Sequence, residues 1–329
     1  MPEMRLLDAI RLGMYEEMKR DERVMILGED VGLKGGVFGA TDGFYAEFGE
    51  ARVLDTPLAE SLIVGAAVGM AANGLIPIAE IQFSDFIYPA FNQIVSEAAR
   101  MRYRSNGGFG CPITIRAPFG GGVEVHGGLY HSQSIEAFFA HVPGLKVVTP
   151  YTPYDAKGLL KASIRDPDPV LFLEHKRLYR AIRGEVPDDD YIVPIGPAAV
   201  RRQGTTLSVF AYGQMLHETL QAAGQVAGEG LDAEVVDLRT LRPLDTETIL
   251  TSVRKTNKAM VVYEDNRFLG YGAEVSALIA EEAFDALDGP IVRVAGLDVP
   301  AVPYSDPLAG AFIPTAAKIA DAMRRLAAY

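Results

Sequence analysis

Short apolar runs alternate with longer stretches of helical spacing along most of the chain. A short continuous apolar run is typical of a buried strand, whereas apolar residues that recur every three or four positions predict a helix. In the first half, the predicted strands are 24–27, 53–54, 76–81, 112–116, 145–149 and 170–174, and the predicted helices are 6–18, 57–72, 88–102, 135–142 and 154–164. This alternation indicates an α/β fold with a parallel sheet covered on both faces.

The alternation resumes after a polar segment rich in Asp and Pro. We interpret residues 186–204 as a linker between a first domain, 1–185, and a second, smaller α/β domain, 205–329. In the second domain, the predicted strands are 206–211, 233–238, 259–263 and 291–294, and the predicted helices are 214–226, 246–253, 273–287 and 314–327. Gly270 and Gly272 match a dinucleotide-binding loop weakly, because Val275 stands where a third glycine is needed, so we predict a helix start there.

The helix predicted over 57–72 is apolar on every face except for one acid, Glu60. Such a helix belongs in a core or a tight interface, where a carboxylate is costly without a partner. Thr56 and Pro57 suit the N-cap and the first helical position, but a capping box would place its acid at Ala59. Both a dipole-stabilised surface glutamate and a buried functional acid remain open at this point.

Composition narrows the class of protein. The chain has 329 residues, a formal net charge of −12 and a pI near 5.0, so it lacks the basic field that binds nucleic acid or an anionic membrane. Cys111 is its single cysteine, which excludes a disulfide framework. The longest apolar stretch is interrupted by Asn73, Gly74 and Pro77, which makes it a poor membrane span. We therefore expect a soluble cytoplasmic protein without a signal peptide.

Several polar residues follow predicted strands. Because ligands gather at the carboxyl ends of parallel strands, Glu29, Glu60, Gln82 and the loop at 119–131 are expected to share one rim. Simpler interpretations exist for each residue; Gln82, for example, is also a plausible strand cap.

The loop at 119–131 is glycine-rich and carries two of the five histidines, His126 and His131. Its glycines permit close approach of the backbone to a ligand. Glu124, His126 and His131 offer zinc-ligand chemistry, but their spacing matches no common site. An imidazole that moves protons near neutral pH is the sharper hypothesis, and an ordinary surface loop is the simpler one.

Several strings together resemble one family, the beta subunits of the thiamine-diphosphate-dependent 2-oxoacid dehydrogenases. The strings lie at 28–32 (Gly-Glu-Asp-Val-Gly), 55–60 (Asp-Thr-Pro-Leu-Ala-Glu), 79–83 (Ala-Glu-Ile-Gln-Phe), 102–105 (Arg-Tyr-Arg-Ser), 130–134 (Tyr-His-Ser-Gln-Ser), 153–160 and 237–243. The strings at 80–83 and 102–105 look most like those of the branched-chain 2-oxoacid dehydrogenases; the pyruvate and acetoin dehydrogenases are the alternatives. The resemblance implies a pyrimidine-binding parallel-sheet domain followed by a transketolase C-terminal-like domain.

The resemblance also implies a cofactor site. Glu60 matches the carboxylate that hydrogen-bonds a ring nitrogen of the aminopyrimidine of thiamine diphosphate, and burial lets such a carboxyl share a proton with the ring. Leu58, Gln82 and Phe86 match positions that line the pyrimidine pocket, although relatives often carry tyrosine where Phe86 stands. His131 matches a histidine near the reacting carbon, which serves proton transfer and acyl transfer to lipoamide.

Further expectations concern cations and partners. Five residues match a structural monovalent-cation site, for which potassium is the expected ion: Ile113, Ser163, Ile164, Asp166 and Asp168. The residues alone predict most simply a turn at 165–169, which offers oxygens to a hard cation. The Gly-Asp-Gly motif that holds magnesium and the diphosphate does not occur in the sequence. The resemblance assigns that motif to an alpha subunit.

The expected activity is oxidative decarboxylation of a 2-oxo acid with transfer of the acyl group to a lipoyl acyltransferase core. The expected assembly is a heterotetramer of two alpha and two beta chains, which would share thiamine diphosphate and Mg²⁺. Two other classes are an inactive scaffold, which the presence of Glu60 and His131 disfavours, and a self-sufficient transketolase-like enzyme, which the missing diphosphate motif disfavours.

Overall fold

The computed structural model describes residues 2–122 and 127–329. These residues form two compact units: Met1–Phe119 with Phe138–Ile195, and Gly120–Ala137 with Gly196–Tyr329. Residues 120–137 therefore group with the second unit, although residues of the first unit stand on either side of them in the sequence. The domain limits at 185 and 205 stay a prediction.

The first unit alternates strands and helices. Its strands are β1 (Glu3–Arg5), β2 (Val24–Gly28), β3 (Val53–Asp55), β4 (Ile76–Glu80), β5 (Thr114–Phe119), β6 (Lys146–Val148), β7 (Val170–His175) and β8 (Arg183–Glu185). Its helices are α1 (Leu6–Arg20), α2 (Phe44–Phe48), α3 (Glu60–Ala72), α4 (Met101–Arg104), α6 (Pro153–Ile164) and α7 (Leu178–Ala181), while α5 (Glu136–Ala140) begins in the second unit.

Six strands of the first unit pair in parallel in the order β6-β7-β5-β4-β2-β3. Helix α1 packs against α6, and α3 packs against β4. Leu6, Ile10 and Met14 lie one turn apart on α1 and are fully buried, so they form the stripe that faces the core. The predicted parallel sheet is confirmed. The short antiparallel pair of β1 with β8 was not predicted.

The second unit repeats this architecture on a smaller scale. Its strands are β9 (Ala199–Arg202), β10 (Leu207–Ala211), β11 (Ala233–Asp237), β12 (Thr240–Arg242), β13 (Ala259–Asn266) and β14 (Val292–Gly296), and its helices are α8 (Gly213–Ala227), α9 (Thr246–Thr256), α10 (Gly272–Glu282), α11 (Asp306–Phe312) and α12 (Ala316–Ala327). Five of these strands form a sheet in the order β14-β13-β10-β11-β9, in which only β9 is antiparallel.

Two predicted helices of the first unit differ from the structure by more than two residues. The helix predicted from residue 57 begins at Glu60, because Thr56 still extends the strand, with its amide donating to the Gly28 carbonyl at 2.9 Å. Thr56 is therefore not the N-cap; Ala59 is. The helix predicted over 88–102 is divided into a 3-10 turn at Tyr88–Ala90, a π-helical segment at Gln93–Ala98 and the short α4.

A buried ion-pair cluster joins three neighbouring strands in the first unit. Arg116 on β5 donates to both oxygens of Glu174 on β7, at 2.6 and 2.7 Å, and to Glu80 on β4 at 2.5 Å. All three side chains are shielded from water, and the Tyr179 hydroxyl also donates to Glu174. Burial raises the pKa of Glu80, and Arg116 opposes that effect. The guanidinium thus pairs with two acids that the sheet would otherwise bury without a cation.

We predict that Arg116→Met lowers the free energy of unfolding by about 3–5 kcal/mol, because it leaves Glu80 and Glu174 buried without a cation. Urea unfolding of the full chain measures the loss. Arg23→Met is the matched control, since Arg23 pairs with Asp21 at the surface. The triple replacement Glu80→Leu, Arg116→Met, Glu174→Leu should recover most of the loss; a triple variant as unstable as the single one would contradict the electrostatic explanation.

Candidate active site

The carboxyl ends of neighbouring strands bring three predicted site residues together in the first unit. Glu29 follows β2, Glu60 opens the helix that follows β3, and Gln82 follows β4. The Gln82 amide donates to the Glu29 carbonyl at 3.4 Å. Burial, Asp30 and the neighbouring charge of Glu60 raise the pKa of Glu29, so Glu29 and Glu60 lie within electrostatic reach of each other. The parallel sheet gathers these polar groups at one edge, as the sequence indicates.

Glu60 is the first residue of α3, where free backbone amides favour a negative charge. Its side chain is half-buried in the chain alone. In the part of the chain that the structure describes, no cation and no hydrogen-bond donor meets its carboxylate. The partner that the sequence pattern calls for is therefore absent from the described residues of this chain.

Helix α3 has an apolar face that is partly exposed. It buries Ile63, Val64, Ala67 and Ala71 but leaves its other apolar positions open, and Leu62 is 48% exposed. A Cβ at Gly69 would meet no atom within 4 Å. The helix is therefore not a core helix, as one interpretation of its sequence requires, but presents an apolar, small-residue face. None of the helices in residues 2–122 and 127–329 is long and apolar enough to cross a bilayer.

The other two predicted pocket residues are apolar. Leu58, two residues before Glu60, is 70% exposed. Phe86 lies partly exposed at the end of a 3-10 turn that follows Gln82, with its ring 5.7 Å from that of Phe83 in an edge-on arrangement. The predicted pocket residues thus provide an aliphatic group, an aromatic ring, an amide and an acid, which are the groups that bind a planar heterocycle.

His131 belongs to the second unit. It follows the 3-10 turn at Gly128–Tyr130 and is half-buried. A Cβ at Gly127 would lie 2.3 Å from the Cβ of His131, and one at Gly128 would lie 2.7 Å from the ring of Tyr304. Gly127 also donates its amide to the Ser132 hydroxyl at 2.8 Å. The two glycines are therefore required by close approach, and Tyr304 is a neighbour that sequence reasoning missed.

Buried acids of the second unit form hydrogen bonds on both sides of His131 in the sequence. Glu264 on β13 accepts the Gly121 amide at 2.6 Å, and Glu136 accepts the Tyr212 hydroxyl at 2.7 Å. The Gly120 amide donates to the Gln133 carbonyl at 3.0 Å. Sequence reasoning missed Glu136, Glu264 and Tyr212, although one signal was present: Glu264 directly follows a buried apolar run.

The predicted monovalent-cation residues lie around a turn of the first unit, and their acids already have cationic partners. Lys146 donates to both oxygens of Asp166 at 2.6 Å, and Arg102 donates to Asp168 at 2.7 Å. The Asp168 amide also donates to Asp166 at 2.9 Å, as in the turn predicted from sequence.

Two of the other three predicted ligands have backbone partners. The Ile113 carbonyl accepts the Val170 amide at 2.9 Å, and the Ser163 hydroxyl donates to the Leu159 carbonyl at 2.7 Å; Ile164 is the last residue of α6. Within the described ranges, no group of three or more His, Cys, Asp or Glu side chains is arranged to hold a metal ion. Glu124 and His126 of the zinc alternative lie outside the described residues. The monovalent-cation site stays a prediction.

Comparison with known proteins identifies both halves of the chain. The family model "Transketolase, pyrimidine binding domain" matches residues 3–182, and "Transketolase, C-terminal domain" matches residues 196–319. A solved structure, "Split gene transketolase, inactive beta4 tetramer", superposes with a TM-score of 0.79 and covers 99% of this chain and 98% of its own. At 23% sequence identity, that likeness shows the fold alone.

Sequence relatives are much closer. The 2-oxoisovalerate dehydrogenase subunit beta of Bacillus subtilis (strain 168) is 57% identical over 326 residues and covers 99% of each chain. The pyruvate dehydrogenase E1 component subunit beta of the same organism is 51% identical over 298 residues, with 91% of each chain covered, and that of Acholeplasma laidlawii is 50% identical, with 98% of this chain and 97% of its own covered. The chain therefore belongs to the family of transketolase-like beta subunits of 2-oxoacid dehydrogenases.

Proposed function

We propose that this protein is the beta subunit of the decarboxylating component of a branched-chain 2-oxoacid dehydrogenase complex. The observation that carries the proposal is Glu60, a carboxylate without a protein partner at the start of a helix whose apolar face lies open. The 57% identity to a 2-oxoisovalerate dehydrogenase subunit beta supports the branched-chain substrate. A pyruvate-specific beta subunit is the second candidate, supported by a relative at 51% identity.

The residues at the strand ends fit the aminopyrimidine of thiamine diphosphate. Glu60 provides an acceptor for a protonated ring nitrogen, and Gln82 provides an amide within reach of the same edge of the sheet. Leu58 and Phe86 supply exposed apolar surface for the ring faces. When bound, thiamine diphosphate supplies the carbon nucleophile and the electron sink for decarboxylation. Glu60 would hold the proton on the ring and so set the protonation state of the heterocycle.

His131 would act near the reacting carbon of the cofactor. Its imidazole is half-buried and set by the close packing of Gly127 and the turn before it. An imidazole held in this way can accept and return a proton during transfer of the acyl group to a lipoyl group. Because these contacts fix the backbone around His131, the imidazole would be held in the orientation that acyl transfer requires.

A second chain would complete the site. The open face of α3, with Leu62 exposed and no atom within 4 Å of a Cβ placed at Gly69, suits a packed partner helix. The sequence lacks the Gly-Asp-Gly motif, so the diphosphate and Mg²⁺ would bind to an alpha subunit in a heterotetramer of two alpha and two beta chains. The lipoyl acyltransferase core would receive the product.

Two smaller expectations belong to the same proposal. We expect K⁺ near Asp166 and Asp168, where backbone oxygens of the turn supply hard ligands and the two basic partners limit the negative charge. We expect a cytoplasmic location, in keeping with the single buried thiol of Cys111, whose pKa burial raises to about 12.

The first test concerns Glu60. In the chain reconstituted with its alpha subunit, Glu60→Gln should lower turnover by about 10²–10⁴-fold, because an amide cannot hold the ring proton. Hydrogen–deuterium exchange at the thiazolium carbon, followed by NMR, measures the step directly. Glu50→Gln, at an exposed position, is the matched control. Near-normal exchange in an assembled Glu60→Gln complex would refute the role.

The second test concerns His131. His131→Ala should slow acylation of a lipoyl domain by roughly 10²-fold or more while cofactor affinity changes little, since the imidazole serves proton transfer rather than cofactor binding. Single-turnover acylation and calorimetric binding separate the two effects. His141→Ala, at an exposed position, serves as the control. Equal losses of binding and acylation would contradict this assignment.

The third test separates the two candidate substrates. We expect the reconstituted pair to have a higher kcat/KM for 2-oxoisovalerate than for pyruvate, because an apolar pocket gains about 0.8 kcal/mol for each additional buried methylene of substrate. Steady-state assays with the two acids measure the ratio. A preference for pyruvate would move the proposal to the second candidate, and the beta chain alone should turn over neither acid.

A further inference from the structure

Ser132 directly follows His131 in the sequence and is fully buried, whereas His131 is half-buried. The Ser132 hydroxyl accepts the Gly127 amide at 2.8 Å. Gly127 lies at the surface, so this bond ties an exposed part of the turn to a side chain inside the second unit. The proposed chemistry gives Ser132 no role.

The turn that Ser132 closes has little conformational restraint of its own. It contains two adjacent glycines, and the φ of Gly128 is +64°, a value that glycine adopts at little cost. Its other hydrogen bonds are weaker or exposed. The His131 amide lies 3.5 Å from the Gly128 carbonyl, and the Gln133 side-chain amide donates to the exposed Leu129 at 3.0 Å. The bond to Ser132 differs from both, because it is short and its acceptor is fully buried.

Ser132 is itself held in place from its other side. A Cβ at Gly121 would lie 3.0 Å from the Ser132 Cβ and 3.4 Å from its carbonyl oxygen, so the two residues are in direct contact. The Gly121 amide donates to the buried carboxylate of Glu264 at 2.6 Å, and the Gly120 amide donates to the Gln133 carbonyl at 3.0 Å. The serine therefore has a fixed position relative to β13, the strand that carries Glu264.

The bond to Ser132 also determines what lies against the His131 side chain. A Cβ at Gly127 would overlap the Cβ of His131 and lie 3.0 Å from its Cγ, so Gly127 is in direct contact with the start of that side chain. His131 is thus enclosed between Ser132, its neighbour in the chain, and Gly127, the residue that Ser132 binds. If the bond is lost, Gly127 can move away, and the imidazole gains rotamer freedom.

We propose that Ser132 is a positioning residue for His131: its buried hydroxyl holds Gly127 against the His131 side chain and so limits the directions in which the imidazole can point. The consequence for acyl transfer rests on the proposed function. The effect of the bond on the turn does not, because it concerns only contacts within the second unit.

Ser132→Ala tests the bond directly, because it keeps the Cβ that packs against Gly121 and removes only the acceptor of the turn. In the full chain, hydrogen–deuterium exchange of peptides that contain residues 127–133 should become faster by about 10-fold, the effect expected when one hydrogen bond is lost. Ser276→Ala is the matched control, since it removes a hydroxyl that is hydrogen-bonded within α10 of the same unit. Unchanged exchange of the turn in Ser132→Ala would overturn the proposal.

Single-turnover acylation of a lipoyl domain, by the chain reconstituted with its alpha subunit, measures the functional consequence. Ser132→Ala should slow acylation by roughly 10-fold, because a freer imidazole spends less time in the productive orientation. Cofactor affinity and hydrogen–deuterium exchange at the thiazolium carbon should stay near the wild-type values. In a His131→Ala background, Ser132→Ala should cause little further loss, since no imidazole remains to be oriented.

Gly127→Ala reaches the same side chain by a different route: it keeps the amide donor but places a methyl group where the His131 Cβ lies, so it should slow acylation at least as much. An equal loss from Ser132→Ala with and without the His131 imidazole would overturn the positioning role, and so would exchange at the thiazolium carbon that slows as much as acylation. Faster exchange of the turn in Ser132→Ala, together with an unsubstituted pair that is inactive on every 2-oxo acid, would confirm the effect of the bond and reject the proposed function instead.

Discussion

A carboxylate removed from water must be met by a cation, by hydrogen-bond donors or by a proton, and this constraint organises both units of the chain. Arg116 meets Glu80 and Glu174 in the first sheet, and Arg201 meets Asp237 in the second at 2.8 Å. The acids of both sites lie at or near the carboxyl ends of parallel strands, where ligands also gather. The acids that have such partners belong to the folded framework. An acid without such a partner therefore indicates a role other than stabilising the fold.

Two acids stand out against this background, and for different reasons. Glu60 is half-buried and without a donor beside an open apolar helix face, an arrangement that costs little in the chain alone but would be costly once another chain covered it. Glu136 is fully buried and accepts the Tyr212 hydroxyl, and burial raises its pKa. The first case points outward to a ligand and a partner; the second concerns contacts within the second unit.

Much of the fold was readable because parallel strands covered on both faces form continuous apolar runs. The strands at 24–27 and 170–174 were predicted to within one residue of β2 and β7. The pairing of β1 with β8 was not readable, since its partners lie about 180 residues apart and neither has a strand pattern. The helix start was misplaced at Pro57 because cap propensity is local, whereas the bond from Thr56 to Gly28 depends on the sheet.

Part of the candidate site can be predicted from local sequence patterns, whereas other parts depend on contacts between residues that are distant in the sequence. Glu60, Gln82 and their neighbours follow strands, so pattern and family resemblance both indicate them. The bonds from Tyr212 to Glu136 and from Gly121 to Glu264 join residues 76 and 143 positions apart, and no local motif announces them. Sequence patterns therefore identify groups that perform chemistry more readily than groups that hold them in place.

The open face of α3 connects these arguments to assembly. If a partner helix covers that face, Glu60 loses water from its carboxylate, and the loss is affordable only if a ring proton arrives in the same site. Cofactor binding and subunit association would then favour each other, because each supplies what the other requires. A heterocycle that is charged where it meets Glu60 would compensate the acid only inside the assembled pair. The half-buried position of Glu60 in the single chain is accordingly what a shared site demands: an acid fully buried in advance would need its own partner, as Glu80 and Glu174 have in Arg116, and would no longer be available to the ligand.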